Sequence, residues 1–96
     1  MFADGTGGYV AFTDGTDLFV RAFSDVPQAS LAPEQGEVEV YDGTTYVEYE
    51  VQGAYGSVQP GASASLQVRW MVRPFPTGAT RETGNAELVS AVMALL

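Results

Sequence analysis

The stretch "GEVEVYDGTTYVEYEVQ", residues 36–52, decides the fold of this chain. Apolar and acidic residues alternate on both sides of an Asp-Gly-Thr corner, and strict alternation is typical of a half-buried β-strand. Asp-Gly between two such runs is the strongest short signal for a hairpin, because glycine adopts a positive φ without steric cost. The stretch therefore predicts two antiparallel strands, at 36–41 and 45–52.

The period of two sorts this hairpin into an apolar face, which holds the valines and Tyr49, and an acidic face. A turn of two or four residues keeps this sorting, whereas a turn of three residues would break it. Like charges that oppose each other across a ladder destabilise it, so we expect water, a ligand, or Arg69 and Arg73 to offset them. The predicted acidic face consists of Glu37, Glu39, Tyr41, Tyr46, Glu48, Glu50 and Gln52.

Other runs rich in aromatic and β-branched residues predict further strands, at 8–13, 17–23 and 63–73. In the last of these, the alternation favours Trp70 as a core residue, on the same face as Leu66, Val68 and Val72, over Trp70 as a platform for a sugar ring. The opposite face would carry Gln67, Arg69, Met71 and Arg73.

The C-terminal "NAELVSAVMALL" (85–96) changes to helical spacing and predicts one short helix at about 85–95, with Asn85 as its N-cap. We expect this helix to dock on the sheet or on a partner. The predicted fold is all-β: an antiparallel β-sandwich or curved sheet of about five to six strands with one short C-terminal helix, in a single domain over residues 1–96.

Asp-Gly-Thr occurs three times, at 4–6, 14–16 and 42–44. Calcium loops need several oxygen ligands at fixed close spacing, whereas each Asp-Gly here stands nearly alone. The second and third copies are therefore interpreted as hairpin corners, and the first lies too near the terminus to interpret.

Composition excludes several kinds of function. The net charge of −8, from twelve acidic residues against four arginines, repels phosphate backbones and argues against nucleic-acid binding. Histidine and cysteine are absent, so the commonest acid–base group and thiolate chemistry are missing, and neither a metal nor a cofactor is predicted. No apolar run approaches the ~18 residues that span a bilayer. The cellular compartment stays undetermined.

Two segments together suggest a family: "GGYVAFTDGTDLFVRAF" (7–23) and "GEVEVYDGTTYVEYEVQGAYGSVQPGASASLQVRW" (36–70). They resemble the C-terminal stretch of galactose-mutarotase-like β-sandwich proteins, closest to an uncharacterised bacterial branch known only as a domain of unknown function. The resemblance spans roughly residues 8–73. It implies that the chain corresponds to the C-terminal portion of a larger sandwich, whose open apolar face would favour a homodimer unless the C-terminal helix covers it.

The resemblance also implies site residues. In mutarotases a glutamate of an E-x-Q stretch acts as base toward the anomeric hydroxyl, and a histidine acts as acid. Here "EVQ" places Glu50 and Gln52 on that stretch, and Glu48 is the rival if the alignment shifts by two. The histidine has no counterpart, so half of the proton relay is missing; this favours a non-catalytic role and leaves enzyme activity open.

These observations predict a non-catalytic carbohydrate-binding β-domain of mutarotase-like ancestry, with the saccharide on the acidic face. Tyrosine rings would stack on the sugar, while carboxylates accept hydrogen bonds from its hydroxyl groups. Alternatives are a solvated face on a structural or self-associating module, and a remnant sugar epimerase that uses Glu50 as base. A divalent-ion site among the four hairpin glutamates is a further, minor alternative.

Overall fold

The computed structural model describes residues 1–96 and is mostly β-structure. Its strands are β1 (Phe2–Ala3), β2 (Tyr9–Thr13), β3 (Asp17–Phe23), β4 (Val38–Asp42), β5 (Val47–Val51) and β6 (Val68–Pro74). A 3₁₀ turn lies at Gln28–Ser30, and one helix, α1, spans Ala86–Met93. The predicted fold class, β-strands with one short C-terminal helix, is confirmed. No helix has the length and apolar character that a bilayer span requires.

The strands form two antiparallel three-stranded sheets, with orders β1-β4-β5 and β2-β3-β6. Each sheet belongs to its own compact unit. The first unit comprises Met1–Gly8 and Ser24–Gln67, and the second comprises Tyr9–Phe23 and Val68–Leu96. The expectation of a single domain over the whole chain stays a prediction.

In the first unit, β4 and β5 form the predicted hairpin. Asp42 pairs with Val47, so the turn has four residues, and the Gly43 N–H donates to the Tyr46 carbonyl at 2.8 Å. A four-residue turn keeps the predicted sorting of side chains, with Val38 buried opposite Val51. The strands are shorter than predicted, because residues 43–46 form the turn and only one further bond, from the Gln52 N–H to the Glu37 carbonyl at 2.7 Å, continues the ladder past Val38 and Val51.

In the second unit, α1 docks on one face of the sheet β2-β3-β6. Leu18, Val20 and Val92 form a buried cluster, with the half-buried side chains Tyr9, Ala11, Met71, Leu88, Ala91 and Leu95 packed around it. The Asn85 side chain accepts a hydrogen bond from the Leu88 N–H at 2.9 Å. That bond satisfies one of the donors that a helix leaves open at its start, so the predicted N-cap is confirmed.

The sixth strand corrects two predictions. It begins at Val68, and residues 63–67 are irregular and mostly exposed. Side chains alternate between the two faces as predicted, but the prediction of which face meets the core is wrong. Met71 packs against the core, whereas Trp70 is 64% exposed. The reason is the register, which sets Met71 opposite Val20 on the helix-covered face and Trp70 opposite Arg21 on the other face.

The second Asp-Gly-Thr corner closes the β2–β3 hairpin, as predicted. Asp14 Oδ1 accepts hydrogen bonds from the N–H groups of Thr16 at 2.8 Å and Asp17 at 2.9 Å. Gly15 has φ +94°, a left-handed conformation that a residue with a side chain adopts only with strain. The carboxylate and the glycine therefore hold this turn together.

The same hydrogen bonds predict a pH effect. The Asp17 N–H, and then the Thr16 N–H, lower the pKa of Asp14 from its ordinary value, because both bonds favour the ionised carboxylate. The turn's contribution to stability should thus be present above the ordinary aspartate pKa and be lost as the pH falls through the lowered folded pKa. NMR titration of the Asp14 carboxyl carbon checks this; titration at or above the ordinary aspartate pKa would contradict it.

Candidate functional site

The β4–β5 hairpin brings acidic and tyrosine side chains together on one surface. Its register sets Glu39 directly opposite Glu50 and Tyr41 opposite Glu48. Six of the seven predicted residues follow this alternation. The surface, named the acidic hairpin face, consists of Glu39, Tyr41, Tyr46, Glu48, Glu50 and Gln52.

Two tyrosines stand side by side at the turn end of this face. The ring centroids of Tyr41 and Tyr46 are 6.0 Å apart and their planes are inclined by 40°. Tyr41 is 58% exposed and Tyr46 is 55% exposed, so much of each ring meets solvent. Gly43 gives the second ring its room, because a Cβ at Gly43 would lie 3.3 Å from Cε1 and Cζ of Tyr46.

The carboxylates at the other end have few partners within the hairpin. The Gln52 side-chain amide donates to Glu50 Oε2 at 3.2 Å, which joins the two residues of the E-x-Q stretch. Glu39 Oε1 accepts a long hydrogen bond, 3.4 Å, from the Gly36 N–H. Each bond fixes one carboxylate oxygen, and Glu48 and Glu50 are exposed. The face can therefore accept hydrogen bonds from a polar ligand.

The two arginines predicted to neutralise this face have hydrogen-bond partners in the second unit. Arg69 Nη2 donates to the carbonyl of Leu96 at 3.0 Å and to that of Leu95 at 3.5 Å, near the end of the chain. Arg73 Nη1 donates to the carbonyl of Val72 at 2.7 Å. Both guanidinium groups thus have backbone partners in the second unit, and their pairing with the hairpin glutamates stays a prediction.

Glu37 departs from the predicted acidic face. It precedes β4, and its side chain is fully buried. Its Oε2 accepts from the Gly5 N–H at 2.9 Å and its Oε1 accepts from the Val26 N–H at 2.6 Å. The carboxylate thus joins three separate segments of the first unit. No feature of the sequence distinguishes this glutamate from the other three in the hairpin, so periodicity could not find its role.

Three carboxylates converge beside these bonds. Oxygen atoms of Asp4, Asp25 and Glu37 all lie within 4.8 Å of one another, so the first Asp-Gly-Thr corner contributes to an acidic cluster. Oxygen ligands of this kind suit a divalent cation. Asp4 and Asp25 are exposed, however, and exposed acidic groups commonly gather without an ion. The cluster alone does not define a metal centre.

A shallow groove runs beside α1 in the second unit. Glu87 is the single ionisable residue of its lining, so the groove offers no acid–base pair. It is lined by Pro76, Thr77, Ala86, Glu87, Ser90, Ala91 and Ala94.

The buried carboxylate yields a stability prediction. Glu37→Gln keeps the shape of the side chain but turns one acceptor into a donor that faces a backbone N–H, which leaves a buried donor unsatisfied. We expect the free energy of unfolding to fall by about 2 kcal/mol. Urea unfolding followed by circular dichroism measures it. Glu48→Gln on the exposed face is the control and should change stability by less than about 0.5 kcal/mol; equal effects of both variants would contradict the role of Glu37.

Comparison with known proteins assigns the family. Residues 1–73, from β1 to within β6, match the family described as Domain of unknown function (DUF4380). No curated protein and no solved structure matches the chain. The match confirms the part of the predicted resemblance that places the chain among domains of unknown function. The chain therefore belongs to the DUF4380 family.

Proposed function

We propose that the chain is a non-catalytic carbohydrate-binding β-domain and that the saccharide lies on the acidic hairpin face. The observation that supports this most strongly is the pair of exposed rings, Tyr41 and Tyr46, at the end of a row of exposed carboxylates. A pyranose has an apolar face of C–H groups and a rim of hydroxyl groups. Aromatic rings pack against the first, and carboxylates accept hydrogen bonds from the second.

The geometry of the two rings suits a sugar. Their centroids are 6.0 Å apart and their planes are inclined by 40°, so the two rings are close enough for one pyranose to contact both. A sugar on these rings would lie next to Glu48, which is the cross-strand partner of Tyr41. Stacking would therefore orient the sugar, and the carboxylate would select for its hydroxyl groups.

The row continues from Glu48 to Glu50, two residues further along β5. The Gln52 amide binds Oε2 of Glu50 and thereby restricts the rotation of this carboxylate. Charge-assisted hydrogen bonds from sugar hydroxyl groups are shorter and stronger than neutral ones. Because the surface is open to water, we expect a Kd on the order of 1 mM, about 4 kcal/mol of binding free energy.

Mutarotase-like ancestry is part of the same proposal. It rests on the E-x-Q stretch at Glu50 and Gln52 and on the resemblance of the successive strand segments in residues 8–73 to the C-terminal stretch of mutarotase-like proteins. The chain has no histidine to act as the acid partner of Glu50. Proton transfer needs both a donor and an acceptor at the anomeric centre, so binding without turnover is the activity that these residues support.

The first test removes one ring. Tyr46→Ala should raise the Kd for a bound mono- or oligosaccharide at least about tenfold, because it removes one of the two stacking surfaces. Titration calorimetry with a panel of neutral and acidic saccharides, at concentrations of up to about ten times the expected Kd, measures this effect.

Tyr55→Ala is the matched control. Tyr55 is 70% exposed and lies outside the acidic hairpin face, so its removal should leave the Kd unchanged. An absence of heat with every saccharide, or equal loss of binding in both variants, would overturn the proposed site.

The second test separates binding from catalysis. We expect polarimetry of α-glucose and α-galactose to show the same mutarotation rate with the wild-type chain, with Glu50→Gln and with buffer, because the acid partner is missing. Acceleration by the wild type that Glu50→Gln abolishes would instead identify a sugar epimerase with Glu50 as its base.

A further inference from the structure

The open edge of β6 in the second unit carries an inference that is independent of the acidic hairpin face. In the order β2-β3-β6, this strand is at the edge of its sheet, and it is seven residues long. An edge strand presents a row of backbone N–H and C=O groups that can pair with another strand. Proteins often shield such edges with charge, proline or a covering segment; in β6, Pro74 stands at the end of the strand and the two arginines alternate with the apolar residues Val68, Trp70 and Val72.

The register shows which residues direct their backbone outward. The Phe75 N–H donates to the Thr16 carbonyl at 2.8 Å, so residues 16 and 75 form a hydrogen-bonded pair. Such pairs alternate along an antiparallel ladder. It follows that residues 73, 71 and 69 direct their backbone groups toward β3, whereas Val68, Trp70 and Val72 direct theirs toward the open edge. The Val72 carbonyl accepts from Arg73 Nη1 and keeps a second lone pair.

The side chains of these outward residues are apolar; Trp70 and Val72 are exposed, and Val68 is half-buried. Trp70 is 64% exposed and Val72 is 46% exposed, on the sheet face that α1 does not cover. The Arg21 guanidinium lies 3.9 Å from the centroid of the Trp70 ring and supports it from β3. An exposed edge with large apolar side chains is the kind of strand that associates.

We propose that two copies of the chain pair through their β6 strands and form one continuous antiparallel six-stranded sheet. The occupant of this edge is thus a second copy. A sheet of six strands lies in the commonest size range, whereas three strands are near its lower limit. No acidic residue lies in β6, so two molecules of net charge −8 meet along a strand that adds no acid–acid repulsion.

Charge and proline select one register. Antiparallel pairing of Trp70 with its own copy sets Val68 against Val72 and Arg69 against Met71. Moving the register by one hydrogen-bonded pair in either direction sets Arg69 against Arg73 or against a second Arg69, and like charges in opposition are unfavourable. Moving it further toward the C-terminus sets Trp70 against Pro74, which has no N–H to donate.

The contact is small. Pairing over these residues forms about six backbone hydrogen bonds and covers two tryptophan rings. The surface that each partner buries is therefore smaller than the ~800 Å² of a standard stable interface. We therefore expect a weak dimer that forms at concentrations of about 0.1–1 mM. Salt should strengthen it, because screening reduces the repulsion between two acidic molecules.

Cysteine pairs test the register, since the chain has no cysteine of its own. In the proposed dimer, residue 68 of one copy lies opposite residue 72 of the other at a Cα distance of about 5.5 Å, within the range of a disulfide. Under oxidised glutathione, an equimolar mixture of Val68→Cys and Val72→Cys should yield a disulfide-linked dimer. Each variant alone should not, because identical positions lie about 14 Å apart.

Val89→Cys is the control for random collision. Val89 is 51% exposed on α1, and its mixture with Val72→Cys should react at least about tenfold more slowly. Equal rates in all mixtures would overturn the proposal. So would a linked dimer of Val72→Cys alone, which would place the strands in another register.

A second measurement does not depend on cysteine. Val72→Pro removes an N–H that points to the open edge, so the ladder with β3 stays intact while pairing with a second copy is blocked. Sedimentation should show a monomer for Val72→Pro and a dimer for Val72→Thr, which keeps the N–H and the branched shape. Circular dichroism confirms that each variant is folded.

If Val72→Pro does not fold, Trp70→Lys replaces it, because a charged lysine at an edge opposes pairing. In the wild type, the emission of Trp70, the one tryptophan, should shift to shorter wavelength as the protein concentration rises. A wild-type monomer at about 1 mM, or a dimer that survives in the blocking variant, would overturn the inference.

Discussion

The two-residue repeat of the β-strand is the constraint on which this structure depends. Successive side chains point to opposite faces, and successive backbone groups point to opposite edges. In β4 and β5 this repeat gathers Glu39, Tyr41, Glu48 and Glu50 on one surface. In β6 it turns Met71 toward the helix and leaves Trp70 exposed. Each candidate surface of the molecule follows from this alternation.

Sequence reasoning succeeded where one face of a strand was clearly apolar and the other clearly polar. The hairpin over residues 36–52 has valines on one side and glutamates on the other, so the alternation alone predicts the face of every residue in the acidic set except Glu37. The helix was predictable for a similar reason: Leu88, Val92 and Leu95 share one side, and Asn85 has the short polar side chain that caps helices.

The same reasoning failed where both faces carry large side chains. In β6 both Trp70 and Met71 are suited to a core. Met71 lies in the core because it shares a sheet face with Leu18 and Val20 of β3, which pack against α1. Such long-range selection is invisible to a local pattern. The burial of Glu37 was not predicted for a different reason. Its burial depends on N–H groups from Gly5 and Val26, positions that are distant in sequence and have no motif in common.

That buried glutamate has a consequence for how the first unit tolerates change. Its two oxygens join a residue 32 positions earlier and a residue 11 positions earlier. The chain has no cysteine and so no disulfide. The Glu37 carboxylate instead links the segment before β2 and the segment after β3 to the hairpin through two hydrogen bonds. Insertions in the loops next to Gly5 and Val26 should be tolerated as long as both N–H groups still reach Glu37, since the entropic cost of closing a loop rises only slowly with its length. Selection would then act on the position of these two N–H groups relative to Glu37 more than on the residue types of the loops that carry them.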